Sequence, residues 1–225
     1  EKIHYLKNSE DISKDIVSEL KNHEDFRKLF SNFLYEIGYN KGGTFWDRFV
    51  VRVAPAENNL PYREASRINI HRDTWGTNLY QQINWWAPVS NVEEKNTMIF
   101  YPDYFDVPVK NTTSTWDLNI YLANRKKGDF SYPSAPQLKE DLPSNIKKIP
   151  VTIKPGEILC FSGAHLHSSS KEKSENTRIS FEIRTICEND LNSSAQAPNV
   201  DCDLQWKFPK IFKKINDNSP LKITS

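Results

Sequence analysis

No stretch of this sequence approaches about 18 consecutive apolar residues, the length a membrane-crossing helix needs. Its first ten residues are charged and polar and lack the apolar core of a signal peptide. Cysteine is scarce. Cys160, Cys187 and Cys202 are odd in number and show no CxxC spacing, which fits a reducing compartment better than a disulfide framework and predicts a cytoplasmic protein. Charge of one sign is missing as well: 30 basic residues against 29 acidic ones leave +1, which excludes a nucleic-acid surface built on bulk positive charge. The short basic groups Lys171/Lys173 and Lys210/Lys213/Lys214 read as solvated faces. Internal repeats, low-complexity tracts and composition breaks are absent too. The expectation is therefore a single domain over residues 1–225, with no membrane and no nucleic acid among its partners.

What is present divides into a short helical part and a long β-rich part. Ser9 is placed to cap a segment in which Ile12, Ile16, Val17 and Leu20 recur at helical spacing. A second helix carries Phe26, Leu29, Phe30, Phe33, Leu34 and Ile37, with Gly38 as its stop. Both are expected within residues 1–40, packing apolar stripes on the outside of a sheet. Thereafter short runs rich in Val, Ile, Phe, Trp and Thr alternate with Pro, Gly, Asn and Asp. They predict strands at 49–54, 66–73, 79–88, 97–101, 148–153, 158–162 and 178–186, hence an antiparallel sandwich, barrel or jelly roll with flanking helices. Residues 124–145 show no period and are expected to be a long loop, a candidate lid. Residues 193–225 form a polar C-terminal extension anchored by Trp206, Phe208 and Phe212.

The chemistry is carried by a few residues. Of five histidines, His4 and His23 have no carboxylate arrangement around them, whereas Asp73 follows His71 at i+2. On an extended strand those two side chains share a face and can converge on one ion. H-x-D alone is a weak signal. Far downstream, a Pro155-Gly156 turn and a strand lead into Ser162-Gly163-Ala164-His165-Leu166-His167, which offers a third ligand from either histidine. Two histidines and one carboxylate leave positions open for oxygen chemistry at Fe(II), with three-ligand zinc as the inorganic competitor. Arg178, Ser180, Glu182 and Arg184 then alternate with Ile179, Phe181, Ile183 and Thr185. If the polar face lines a cavity, Arg178 and Ser180 offer a fork and a hydroxyl to a carboxylate, and Arg184 competes for that role. Gln82 and Asn84 share a strand face with Tyr80 and are candidates to line the same pocket, against the plainer reading of a partly wet face.

The layout His71-Arg-Asp73 … His167-x10-Arg178-x-Ser180 resembles the Fe(II)/2-oxoglutarate dioxygenases. The segments NIHRDTW … QQINWWAPVSNVEEKNTMIFYP and PGEILCFSGAHLHSSSKEKSENTRISFEIRT are similar to the phytanoyl-CoA hydroxylase-like branch. The resemblance implies a double-stranded β-helix (jelly-roll) core, Fe(II), 2-oxoglutarate and O2, with succinate and CO2 released. It favours His167 over His165 as third ligand and Arg178 with Ser180 over Arg184 as co-substrate clamp. Family members that halogenate carry a small residue where Asp73 stands, so the resemblance implies hydroxylation, while the near-neutral charge and the Trp-rich strand suit a small organic metabolite as substrate. Two other readings remain: a cupin-like metal-dependent isomerase or epimerase, which needs no arginine fork, and a non-catalytic jelly-roll binding module, for which fold alone speaks equally. Nothing in the sequence indicates an oligomeric state.

Overall fold

The computed structural model describes residues 18–19, 23–39, 42–47, 49–54, 56, 68–129, 131–170, 172, 174–193 and 195–223. The first expected helix, with Ser9 and Ile12–Val17, lies outside them, as do His4, Lys171 and Lys173. Helix α1 (Glu24–Glu36) is followed by β1 (Thr44–Trp46), β2 (Val50–Ala54), the single-turn α2 (Thr74–Thr77), β3 (Ile83–Pro88) and β4 (Met98–Phe100). Then come α3 (Leu118–Lys126), β5 (Ile149–Pro150), β6 (Leu159–Ser162), β7 (His167–Ser169), β8 (Arg178–Cys187), α4 (Glu188–Ser193) and β9 (Lys213–Lys214). The strands form two sheets. One runs β6-β3-β8-β1-β9 with β2 also on β8, and the other runs β5-β4-β7. Every pairing between these strands is antiparallel. No helix is long and apolar enough to cross a membrane among the described residues.

Strand β8 organises the larger sheet because its two faces differ in chemistry. Phe181 and Ile183 face outward into a cluster with Phe30 and Leu34 of α1, Phe49, Trp85 and Ile215. Burying Phe30 and Leu34 there contributes about 2 kcal/mol each. Helix α1 ends as its Gly38 requires: φ is +98°, Gly38 N–H reaches Tyr35 O (3.0 Å) and Tyr39 N–H reaches Leu34 O (2.8 Å). That is a Schellman stop, and it drops the Tyr39 ring onto Trp85 at 5.6 Å. The inward face of the sheet meets β4 through Trp86, Leu159 and Phe161 against Met98 and Phe100. The space between the sheets is thus closed by apolar packing in one part and left as a polar chamber in another.

Three expectations change. Residues 68–70 are not strand, and the stretch expected at 66–73 contributes one isolated bridge, His71 to His167. Strands β1, β7 and β9 arise where none was expected, and in β1 three residues suffice because β8 and β9 flank them. The loop expected at 124–145 begins inside α3, whose Asp117 cap accepts from Asn119 N–H (2.6 Å) and Ile120 N–H (3.2 Å). The rest of that loop is tied to residues 110–116 by Thr112–Gln137 and Lys139–Lys110 backbone bonds and by Trp116 Nε1 to Pro133 O (2.9 Å).

Candidate metal centre

His71 and His167 are brought together by the bridge between their backbones, His71 N–H to His167 O at 2.9 Å and His167 N–H to His71 O at 3.0 Å. Asp73 reaches the same point by another route than the one expected. The chain leaves extended geometry after His71, and Asp73 stands at the start of α2 with φ −64° and ψ −29°. Its carboxylate lies 3.7 Å from His71 Nε2 and 3.8 Å from His167 Nε2. One ligand atom from each of the three falls within 4.8 Å of the others. His165 does not join them. It sits in the bend before β7, where its ring packs on Phe105 (4.5 Å) and Phe100 (5.5 Å).

The donor set suits a divalent ion. Each imidazole is oriented from behind: His71 Nδ1 lies 2.8 Å from Asn69 O and His167 Nδ1 lies 2.9 Å from His165 O. A carbonyl accepts only, so both Nδ1 atoms carry the proton and both Nε2 lone pairs face Asp73. Burial and the neighbouring His71 push His167 down to about 4, so the ring is neutral near pH 7. Burial alone would raise the Asp73 carboxyl. Its ionised form is favoured by the surrounding His71 and His167 rings and by Arg184, which outweigh burial and hold Asp73 well below the usual carboxylate range.

Behind the carboxylate runs a chain of amides. Asn84 Nδ2 donates to Asp73, Gln82 Nε2 donates to Asn84 Oδ1 (2.9 Å), and Thr77 Oγ1 donates to Gln82 Oε1 (3.2 Å). Asn84 lines the chamber, but Gln82, expected beside it, is fully buried behind the wall and acts only through Asn84. Gly163 leaves room for this chain, since a Cβ there would fall 2.6 Å from Gln82 Nε2. Between the two metal-segment residues, Arg72 is 2% exposed and donates to Ala164 O (2.6 Å), Tyr104 O (2.6 Å), Val107 O (3.0 Å) and Asp201 Oδ2 (3.1 Å). Trp75 Nε1 takes the other Asp201 oxygen at 2.7 Å.

The polar face of β8 forms a wall of a chamber of about 400 Å3 that includes the three clustered residues. Arg184 is committed there. Its Nε donates to Asp47 Oδ2 (2.5 Å), its backbone N–H to Asp47 Oδ1 (2.9 Å), and its Nη1 stands 3.9 Å from Asp73. Glu182 is committed to Arg52 at 2.5 Å. Arg178 differs: it is 3% exposed, and its Nε has no hydrogen-bond partner among the described residues. Its guanidinium stands 5.8 Å from the Trp86 ring centre, and the Glu182–Arg52 pair lies near enough to act on its charge. Burial pushes its guanidinium down to about 10. Ser180 Oγ, fully buried next along the same strand face, is also without a partner among the described residues, although it does not reach the chamber wall.

Asp47 and Arg52 were invisible to sequence reasoning. Between β1 and β2 the register on β8 slips by one residue, from Thr44↔Cys187 to Val50↔Glu182. Such a bulge re-aims side chains, and here it turns Asp47 onto Arg184, 137 residues away. Tyr121 and Arg125 of α3 and residues 134–137 also line the chamber, so part of the segment expected as a lid contributes to its wall.

No protein-family model and no curated sequence matches this chain. Among solved structures, it is similar to a non-heme monooxygenase, ThoJ, at 13% identity and a TM-score of 0.43, covering 65% of this chain and 47% of that one. It is similar to EvdO2 from Micromonospora carbonacea var. aurantiaca, solved with 2-oxoglutarate, at 12% identity and a TM-score of 0.48, over 77% of this chain and 64% of that one. A third is SnoK, a non-heme alpha ketoglutarate dependent carbocyclase from nogalamycin biosynthesis, at 13% and 0.46, over 86% and 72%. The chain spans less than two thirds of the first two. Likenesses of this size carry no inference about this chain, whose reading rests on its own residues.

Proposed function

We propose that this protein is a non-haem Fe(II)- and 2-oxoglutarate-dependent oxygenase on a jelly-roll core, with His71, Asp73 and His167 as iron ligands. One observation carries the reading. A cluster of two carbonyl-oriented imidazoles and an ionised carboxylate shares a chamber with a buried arginine whose Nε has no hydrogen-bond partner among the described residues, its charged neighbour Glu182 being paired with Arg52. A metal alone would account for the cluster. The orphaned Arg178 asks for a carboxylate as well, because a buried unpaired guanidinium is costly until an anion meets it. Iron with 2-oxoglutarate supplies decarboxylation of the keto acid coupled to O2 reduction, and so oxidising power toward a substrate C–H bond.

The chain's own residues have separable tasks in this reading. The His71 and His167 rings present Nε2, Asp73 supplies the anionic ligand, and Asn84 fixes the Asp73 carboxylate. Arg178 binds the distal carboxylate of the co-substrate, with Ser180 adding a hydrogen bond after a small shift. Arg184, already paired with Asp47, has no such vacancy. The retained Asp73 favours hydroxylation, the motif order favours the phytanoyl-CoA hydroxylase-like branch, and the cysteine pattern favours the cytoplasm.

Anaerobic protein given Fe(II) and 2-oxoglutarate is expected to show the visible absorption band of a keto acid chelated to iron. Asp73→Ala is expected to abolish the band and Arg178→Ala to weaken it. Absence of the band in wild type, with metal analysis returning zinc or nothing, would sink the reading.

A further inference from the structure

The three clustered side chains are not held in place by the same means. The backbones of His71 and His167 bridge each other directly. Asp73 stands instead at the N-cap of α2, a single turn over Thr74–Thr77, and its side chain makes no cap bond for that turn. A lone turn closes too few backbone bonds to offset the chain entropy it fixes, so it keeps its shape through what packs against it. On the near side, Asn84 holds the Asp73 carboxylate and Thr74 N–H reaches Gly163 O at 3.2 Å.

The far side is held by one stretch, residues 197–208, which meets the turn and its flanks at successive points. Phe208 N–H reaches Thr77 O (2.9 Å), Asn78 Nδ2 donates to Leu204 O (2.9 Å) and Trp206 O (3.1 Å), and Ala197 N–H reaches Tyr80 O (3.1 Å). At the centre is Asp201. Its Oδ2 accepts from Arg72 Nε and its Oδ1 from Trp75 Nε1, so one carboxylate grips residues on both sides of Asp73. Asp201 is itself anchored, since Oδ2 also accepts from Val109 N–H (3.2 Å) and its carbonyl from Asn111 Nδ2 (2.7 Å). The Arg72 and Asp201 side chains are 2% and 4% exposed. Two charges withdrawn from water add little net stability over apolar packing, so fixing one geometry is the use such a pair has left. Arg72 also carries the grip to the other histidine segment, through Ala164 O three residues before His167.

We propose that Arg72 and Asp201 are positioning residues for the metal centre: with Trp75 they set where Asp73 stands relative to the His71–His167 bridge, and residues 197–208 are the brace through which they act. That Asp73 is a metal ligand rests on the reading above, whereas the brace stands on its own hydrogen bonds. Releasing the grip leaves the histidines bridged and lets the carboxylate swing, which weakens the hold on an ion without dismantling the fold.

The test is titration of Co(II), whose visible d–d bands report coordination, into the metal-free full chain in the absence of 2-oxoglutarate. Asp201→Asn keeps the size and removes the charge. It is expected to lower Co(II) affinity about ten- to a hundredfold, as loss of a group that orients a ligand does, and to change the bands at saturation. Trp75→Phe deletes a single N–H and is expected to cost about three- to tenfold. Thr113→Val is the structural control. Thr113 Oγ1 accepts from Asp203 N–H (2.9 Å) and donates to Asn111 Oδ1 (2.6 Å), so the change loosens the outer side of the brace without touching Arg72 or Trp75. It is expected to lower the melting temperature of the metal-free protein and to leave Co(II) affinity and bands unchanged.

Wild-type affinity and bands in Asp201→Asn overturn the proposal, as do wild-type values in Trp75→Phe if Asp201→Asn does not fold. An equal loss of affinity in Thr113→Val also overturns it, because the brace would then act only through general stability. The oxygenase reading fails separately. Co(II) uptake that responds to Asp201→Asn, without the keto-acid band on iron, keeps the brace and removes the oxygenase. The band together with indifference to Asp201→Asn and Trp75→Phe does the reverse, and a wild type that takes up no Co(II) removes both.

Discussion

Arg178 and Arg184 point from the same face of β8, yet their surroundings are opposite. Arg184 is 25% exposed in its side chain and takes both oxygens of a carboxylate that is itself 2% exposed. Arg178 is more deeply buried and has an aromatic face but no ion pair of its own among the described residues, since its charged neighbour Glu182 is paired with Arg52. The contrast teaches that neighbours, not residue type, separate a side chain that shapes a site from one that a ligand must complete. It also explains why alternation along the strand predicted the wall of the chamber but left the two arginines as rivals.

Breaking the satisfied end has the largest expected effect. Asp47→Ala leaves Arg184 only the more distant Asp73 at 3.9 Å and removes an acceptor from its backbone N–H, and is expected to cost about 3 kcal/mol in a urea melt. A loss below about 1 kcal/mol would show that Arg184 needs no partner. At the other end, Arg178→Met is expected to lower 2-oxoglutarate affinity about a hundredfold while the ligand-free protein keeps or gains thermal stability. Unfolding of that variant would make Arg178 a structural residue and dissolve the contrast. Gly163→Ala reaches the cluster indirectly, by forcing Gln82 against Asn84. We expect a loss of about 1–2 kcal/mol and weaker metal retention, read by thermal melt and metal titration. The smallest effect sharpens the role of burial: Lys110 and Glu140 pair at 2.7 Å with side chains 71% and 62% exposed, and Lys110→Ala should change stability by under about 0.5 kcal/mol.

Legibility followed the range over which each feature is decided. The period-two pattern of residues 178–186 and the glycine stop at 38 are local, and the structure places both as read. The helix Leu118–Lys126 had a local signal too, an Asp117 cap with Arg125 and Lys126 in the last turn, hidden by the irregular stretch after it. Thr44–Trp46 had none, since a three-residue strand exists only through partners more than a hundred residues away. The convergence of His71 and Asp73 was expected from a strand and is achieved by a turn into α2, so the right residues were found through the wrong geometry. Asp47 depends on a one-residue register slip, which no composition or spacing announces.

Arg72 gives the molecule a timetable. The Asp201 carboxylate that fixes it stands 129 residues downstream. At a synthesis rate of about 5–20 residues per second, roughly ten seconds pass between the translation of one and of the other. Over that interval His71 and Asp73 have left the decoding centre, but the clamp on the arginine between them has not yet been made. The loop that carries His71 and Asp73 is therefore translated well before it is secured, so on the proposed reading the order of synthesis favours metal capture after residue 201 rather than by the growing chain.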